Sequence, residues 1–96
     1  MNSGRKTVGT PGHREPLSDI PVATAWLEVE ALVSNATSSA VYIGGKNVYA
    51  LSGGEMGTRL VTDGTRGDRM TFSGVNLAEV YIDAQNDGEG VSFTYG

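Results

Sequence analysis

Apolar and polar positions alternate along the last third of the chain. Met70 and Phe72, then Val80, Ile82 and Ala84, then Val91, Phe93 and Tyr95 recur at every second residue, with Gly/Asn/Asp clusters between the groups. A period of two is what a half-buried strand requires, because successive side chains point to opposite faces of a sheet. Antiparallel strands joined by turns are therefore expected here. Upstream, Leu27, Val29, Ala31 and Val33 alternate with Glu28, Glu30 and Ser34, while Val22, Trp26, Val29 and Val33 also fall near one helical face behind Ser18 or Asp19. Strand is the consistent choice, since Ala40 to Ile43, Val48 to Leu51 and Thr58 to Thr62 follow as short β-like runs bounded by turn-forming residues.

Six or seven strands at intervals of about ten residues predict an all-β fold, a small antiparallel β-sandwich or barrel over residues 23–96. Leu27, Val29, Val33, Val41, Ile43, Leu60, Met70, Phe72, Leu77, Val80, Ile82, Val91 and Phe93 are its expected core. Residues 1–22 are expected to form an extended N-terminal arm. Up to Pro16 that segment has one aliphatic residue, Val8, beyond the initiator methionine and no periodicity, so it lacks the means to fold alone.

The chain has 96 residues and no cysteine. It makes one domain at most, without disulfides or thiolate metal sites, and a body of this size buries only about 60% of the surface its unfolded chain exposes. Oligomerisation is the expected compensation, with a homotrimer the preferred state. Neither an apolar signal-peptide core nor a membrane-spanning apolar run is present, which predicts a soluble protein made in a reducing cytosol.

The net charge of −4 is unevenly placed. Residues 1–14 carry Arg5, Lys6 and Arg14 without an acid, whereas residues 15–96 carry four basic against eleven acidic side chains. Arg5, Lys6 and Arg14 are accordingly the expected partner-binding residues, ordering along an acidic neighbour, and the acidic body disfavours nucleic acid.

Candidate chemistry is sparse. The single histidine, His13, lies in the arm, where a catalytic triad would lack a rigid base. Glu28 and Glu30 share one strand face about 7 Å apart, a spacing within reach of glycoside hydrolysis, but adjacent solvent-facing acids on an amphipathic strand produce the same pattern. Asp83, Asn86, Asp87 and Glu89 supply oxygens without the spacing of a dedicated calcium loop, and Asn-Asp-Gly is ordinary hairpin chemistry. Gly44-Gly45-Lys46-Asn47 lacks the first glycine and the Ser/Thr of a phosphate loop. Arg66-Gly67-Asp68 spells an integrin-binding tripeptide that the turn requirement alone also explains, and Asn35-Ala36-Thr37 is a glycosylation acceptor only in a secreted chain. Tyr42 and Tyr81 fall opposite their strands' aliphatic residues, suited to stacking on bases or sugars or to pairing across strands. No cofactor and no catalytic, cofactor-binding or metal residue is implied.

Ala31-Leu32-Val33-Ser34-Asn35, Val41 to Val48, Gly67 to Phe72 and Val75 to Ala84 together resemble small β-rich accessory virion proteins of tailed bacteriophages, over residues 27–95. The resemblance implies a non-enzymatic structural protein located on the virion and assembled in the host cytoplasm. A capsid decoration or cement protein is expected, docking on the major capsid protein through the arm and a sheet edge. A tail, collar or head–tail joining component, and a carbohydrate- or receptor-binding virion module, are the alternatives; a glycan-cleaving enzyme built on Glu28 and Glu30 is the competing class.

Overall fold

The computed structural model describes all residues, 1–96. Eight strands form two antiparallel sheets: β1 (Asn2–Thr7), β2 (Glu15–Pro16), β3 (Trp26–Ala31), β4 (Val41–Gly44), β5 (Thr58–Leu60), β6 (Arg69–Ser73), β7 (Tyr81–Ala84) and β8 (Gly90–Tyr95), with one 3-10 turn at Leu77–Glu79. Sheet A has the order β1-β8-β3-β6 and sheet B the order β2-β7-β4-β5. The molecule measures 32 × 28 × 19 Å, and the short dimension fits two layers about 10 Å apart with side chains outside them. It is a small all-β sandwich.

The alternation read from the sequence sets the facing. Leu27, Val29 and Ala31 of β3 and Val91 and Phe93 of β8 point inward, against Val41, Ile43, Ile82, Ala84 and Leu60 from sheet B. Glu28, Glu30, Ser92 and Thr94 point out. Each Val, Leu, Ile or Phe side chain removed from water in this way contributes about 1.5–3 kcal/mol, and each alanine methyl about 0.8 kcal/mol. Met70 and Phe72 are only half-buried because β6 is an edge strand. Val33 does not join the core and is 47% exposed. After Ala31 the chain turns: the Leu32 amide donates to the Gly90 carbonyl and the Asn35 amide to the Leu32 carbonyl, so the alternation ends, with Leu32 buried and Val33 exposed.

The N-terminal segment is extended as expected, but it is not a free arm. Asn2 to Thr7 pair antiparallel with Tyr95 to Gly90, and Glu15 and Pro16 pair with Ile82 and Tyr81. Val8, completely buried, and Leu17 belong to the main core cluster. The missing periodicity has a physical reason. The inward position at the middle of β1 is Gly4, opposite Phe93, and a Cβ there would lie 2.6 Å from the ring's Cζ, so the phenyl of β8 fills the space a β1 side chain would otherwise occupy. The expected boundary near residue 22 is therefore crossed by both sheets.

Val48 to Leu51 does not form a strand of sheet B. Tyr49 and Met56 make an isolated bridge, and the segment folds across the outer face of β4, burying Val48 and Ala50 against Ala40 and Tyr42. Sheet B is thus covered on both sides.

Close packing leaves no room for a side chain at Gly90, where a Cβ would collide with the Lys6 carbonyl oxygen, a backbone atom held by the β1–β8 pairing. Gly90→Ala is expected to lower stability by about 1–3 kcal/mol, the usual cost of overpacking. Gly9→Ala, where a Cβ meets nothing within 4 Å, should be nearly neutral. Urea unfolding midpoints of the two variants check this.

Candidate functional site: a basic cleft clamped by Asp83

The outer face of sheet B carries the most organised polar cluster in the molecule. Ile82 and Ala84 of β7 point to the core, which sends Tyr81 and Asp83 to the opposite face. Asp83 is completely buried there. The Gly12 amide donates to its Oδ1 (3.0 Å), the Ala50 amide to its Oδ2 (2.8 Å) and the Ala84 amide to Oδ1 (2.9 Å). One carboxylate therefore fastens two separate loops to the sheet.

Both loops are turns with legible chemistry. In Thr10-Pro11-Gly12-His13 the His13 amide donates to the Thr10 carbonyl (3.0 Å) and Gly12 has φ 87°, the geometry of a type II turn with proline second and glycine third. In Gly45-Lys46-Asn47-Val48 the Val48 amide closes onto the Gly45 carbonyl (3.1 Å), leaving Lys46 at the exposed corner. Between them lies an open hollow of about 530 Å³ lined by Gly12, His13, Arg14, Lys46 and Tyr81. Three basic side chains and one phenol face it, without a carboxylate. Neither Arg14 nor Lys46 enters an ion pair within the chain; the two that form are Lys6–Glu15 (3.3 Å) and Arg69–Glu30 (3.0 Å).

The expected partner-binding trio is consequently dispersed. Arg5 lies on edge strand β1, directly opposite Ser92 and on the outward face of sheet A. Lys6 is held by Glu15, whose other oxygen accepts the Gly9 amide (3.0 Å). Arg14 sits in the cleft on sheet B. His13 and Lys46, set aside in the sequence on grounds of a floppy arm and a failed phosphate motif, join it.

The remaining sequence candidates are engaged in structural contacts. Glu30 accepts from Arg69 Nε and from the Gly67 amide (3.2 Å), so Glu28 and Glu30 are not an equivalent pair; they edge a shallow depression with Ser3, Gly4, Ser92 and Thr94. Glu89 is buried and takes the Ala36 amide (2.7 Å) and the Ser39 hydroxyl (2.7 Å), while Asn86 and Asp87 are exposed, so the oxygens of that turn diverge. Asn35 is buried and bonds Gly90 twice, through Nδ2 to the carbonyl (2.9 Å) and Oδ1 from the amide (3.1 Å), which removes it from glycosylating enzymes. Gly67 bridges Thr62, and Asp68 accepts the Val61 amide (3.0 Å), so the Arg66-Gly67-Asp68 tripeptide is stitched into the fold rather than displayed at a tip. Tyr42 is buried under the Val48–Ala50 segment, which leaves Tyr81, of those two tyrosines, partly exposed.

No family model, curated protein or solved structure matches the chain. No helix is long and apolar enough to cross a membrane.

Asp83→Ala strands the Gly12 and Ala50 amides; at about 1–3 kcal/mol for each donor left unpaired away from water, a loss of about 2–6 kcal/mol is expected, with faster hydrogen exchange at both amides. Asp63, fully exposed, has its carboxyl held below the usual carboxylate range by the amides of Arg66 (2.9 Å) and Thr65 (2.8 Å). A depressed folded pKa contributes stability that is present above the unfolded value and disappears as pH falls through the folded one. Acidification below about pH 4 should therefore loosen the 63–66 turn, seen as a titrating Thr65 and Arg66 amide shift that Asp63→Asn abolishes.

Proposed function

We propose that this protein is a non-enzymatic structural component of a tailed-phage virion, a capsid decoration or cement protein that docks on the outer shell through the β1 edge of sheet A. The observation that carries the reading is the edge itself. β1 is a six-residue strand at the rim of a four-stranded sheet, paired on one side only, with Arg5 exposed on its outward face. Such an edge presents main-chain donors and acceptors to an added strand, and strand addition supplies affinity through main-chain hydrogen bonds that side-chain charge alone does not. An exposed ion pair is worth about 0–1 kcal/mol, so Arg5 would orient the contact while the backbone holds it. The resemblance of residues 27–95 to accessory virion proteins points to the shell as the partner, and a small cysteine-free body is suited to gaining stability from a lattice or from a homotrimer. A tail, collar or head–tail joining part uses the same surfaces at lower copy number.

Because β1 is integral to the sandwich, deleting it confounds docking with unfolding, and a surface charge reversal is the cleaner probe. Arg5→Glu is expected to leave the urea midpoint within about 0.5 kcal/mol of the parent in stability terms and to weaken attachment to purified shells several-fold. A low-resolution map of the particle should show the protein at hundreds of copies; a dozen copies near the portal supports the joining role, and absence from particles overturns the reading.

A further inference from the structure

We propose that the cleft between the Thr10–His13 turn and the Gly45–Val48 turn binds an acidic saccharide, a sugar ring bearing one carboxylate or sulfate, with Arg14 and Lys46 clasping the oxyanion and Tyr81 supporting the ring. This goes beyond a role in virion architecture and does not depend on it.

The cleft's charge is the first ground. In a chain of net charge −4, Arg14, His13 and Lys46 converge from two loops with no acid among the lining residues, and both Arg14 and Lys46 are left without an intramolecular carboxylate. The one carboxylate beneath them, Asp83, is buried and has its oxygens taken by backbone amides, so Arg14 and Lys46 lack a paired anion at the surface that a ligand oxyanion would supply. Arginine offers a planar fork matched to a carboxylate or sulfate, and lysine a mobile point charge.

Preorganisation is the second ground. One wall is fastened from beneath, since Asp83 holds the Gly12 amide, and the same carboxylate holds the Ala50 amide two residues past the turn that carries Lys46. Tyr81 is two residues before Asp83 on the same strand face, so their Cα atoms are about 7 Å apart and Tyr81 lines the hollow beside the clamp. Positioning of this kind lowers the ordering cost of binding.

Size and polarity choose the ligand class. A volume of about 530 Å³ is within the range of small-molecule sites, about 300–1,000 Å³, and larger than an inorganic anion needs. The lining has one apolar residue, Tyr81, which suits a polar ligand with a single C–H-rich face and not a nucleobase, which would want an apolar slot. A singly charged ring also meets less repulsion from the acidic body than a polyphosphate would.

The test is titration of the uniformly ¹⁵N-labelled full chain with digalacturonate, with a monosulfated galactose disaccharide that carries no carboxylate, with neutral cellobiose, with adenosine monophosphate and with sodium sulfate. Amide shifts at Gly12 to Arg14, Gly44 to Asn47 and Tyr81 are expected with one or both acidic disaccharides, and whichever responds distinguishes carboxylate from sulfate recognition. Arg14→Ala and Lys46→Ala, both exposed and expected to fold normally, should each weaken binding about tenfold or more, and Tyr81→Ala should erase the preference for disaccharide over sulfate. The proposal is overturned by shifts that lie elsewhere, by no response to either acidic disaccharide, by equal response to cellobiose, or by sulfate or adenosine monophosphate binding as tightly as the sugars.

Discussion

Asp83 is the constraint on which the back of the molecule depends. A carboxylate withdrawn from water is costly unless its oxygens are fully hydrogen-bonded, and this one meets backbone amides from residues 12, 50 and 84 rather than a cation. The demand runs both ways. The Gly12 and Ala50 amides belong to segments outside the sheets, which have no ladder to satisfy them, and each would be orphaned by the loss of Asp83. Because the two segments meet on one side chain, the N-terminal turn and the loop after β4 become parts of a single surface.

The same device recurs wherever a loop crosses a sheet. Asn35 offers Gly90 the donor and acceptor that a neighbouring strand would have offered, and Glu89 closes the Ala36–Ser39 loop onto the start of β8. Asn76 Oδ1 accepts from Val22 and Ala78, which caps the 3-10 turn and fixes the approach to β3 in one bond set. Gln85 accepts the Ala40 amide and donates to the Ala50 carbonyl. No buried side-chain nitrogen or oxygen lacks a partner. A small sandwich with short strands thus substitutes side-chain amides and carboxylates for the main-chain pairing that longer strands supply, and these polar groups specify which loop covers which strand.

That substitution also decides what was legible in the sequence. β3, β6 and β8 were readable because one face of each is the more buried and the apolar period survives, and β4 and β7, though covered on both faces, keep Val41, Ile43, Ile82 and Ala84 at alternate positions. β1 was not: its inward middle position is Gly4, so the partner strand's Phe93 provides the packing and no alternation is written in β1 itself. Val48 to Leu51 read as a strand because Val48 and Ala50 are buried, but the main chain of Ala50 is taken by Asp83 and Gln85, which removes it from the ladder. The cleft had one local signal that went unused, Pro11-Gly12, the dipeptide of a type II turn. Nothing local marked Asp83 as its clamp, since a carboxylate on the outward face of a strand normally faces water; only the three-dimensional arrival of two loops buries it.

Charge along the chain acquires a different meaning once the turn at Pro11-Gly12 is in place. Arg5 and Arg14 are close in sequence, yet the first projects from the outer face of sheet A and the second lines the outer face of sheet B, on opposite sides of a body 19 Å through its short dimension. Lys6, between them, is neutralised by Glu15. A basic segment that looks like one patch in the linear sequence is therefore two surfaces with a core between them. Screening over about 8–10 Å at physiological salt further uncouples them, so an anion held at Arg14 has little influence on a partner meeting Arg5. Edge pairing on sheet A and ligand binding on sheet B can operate together on one small domain, because the fold separates the charges that the sequence places side by side.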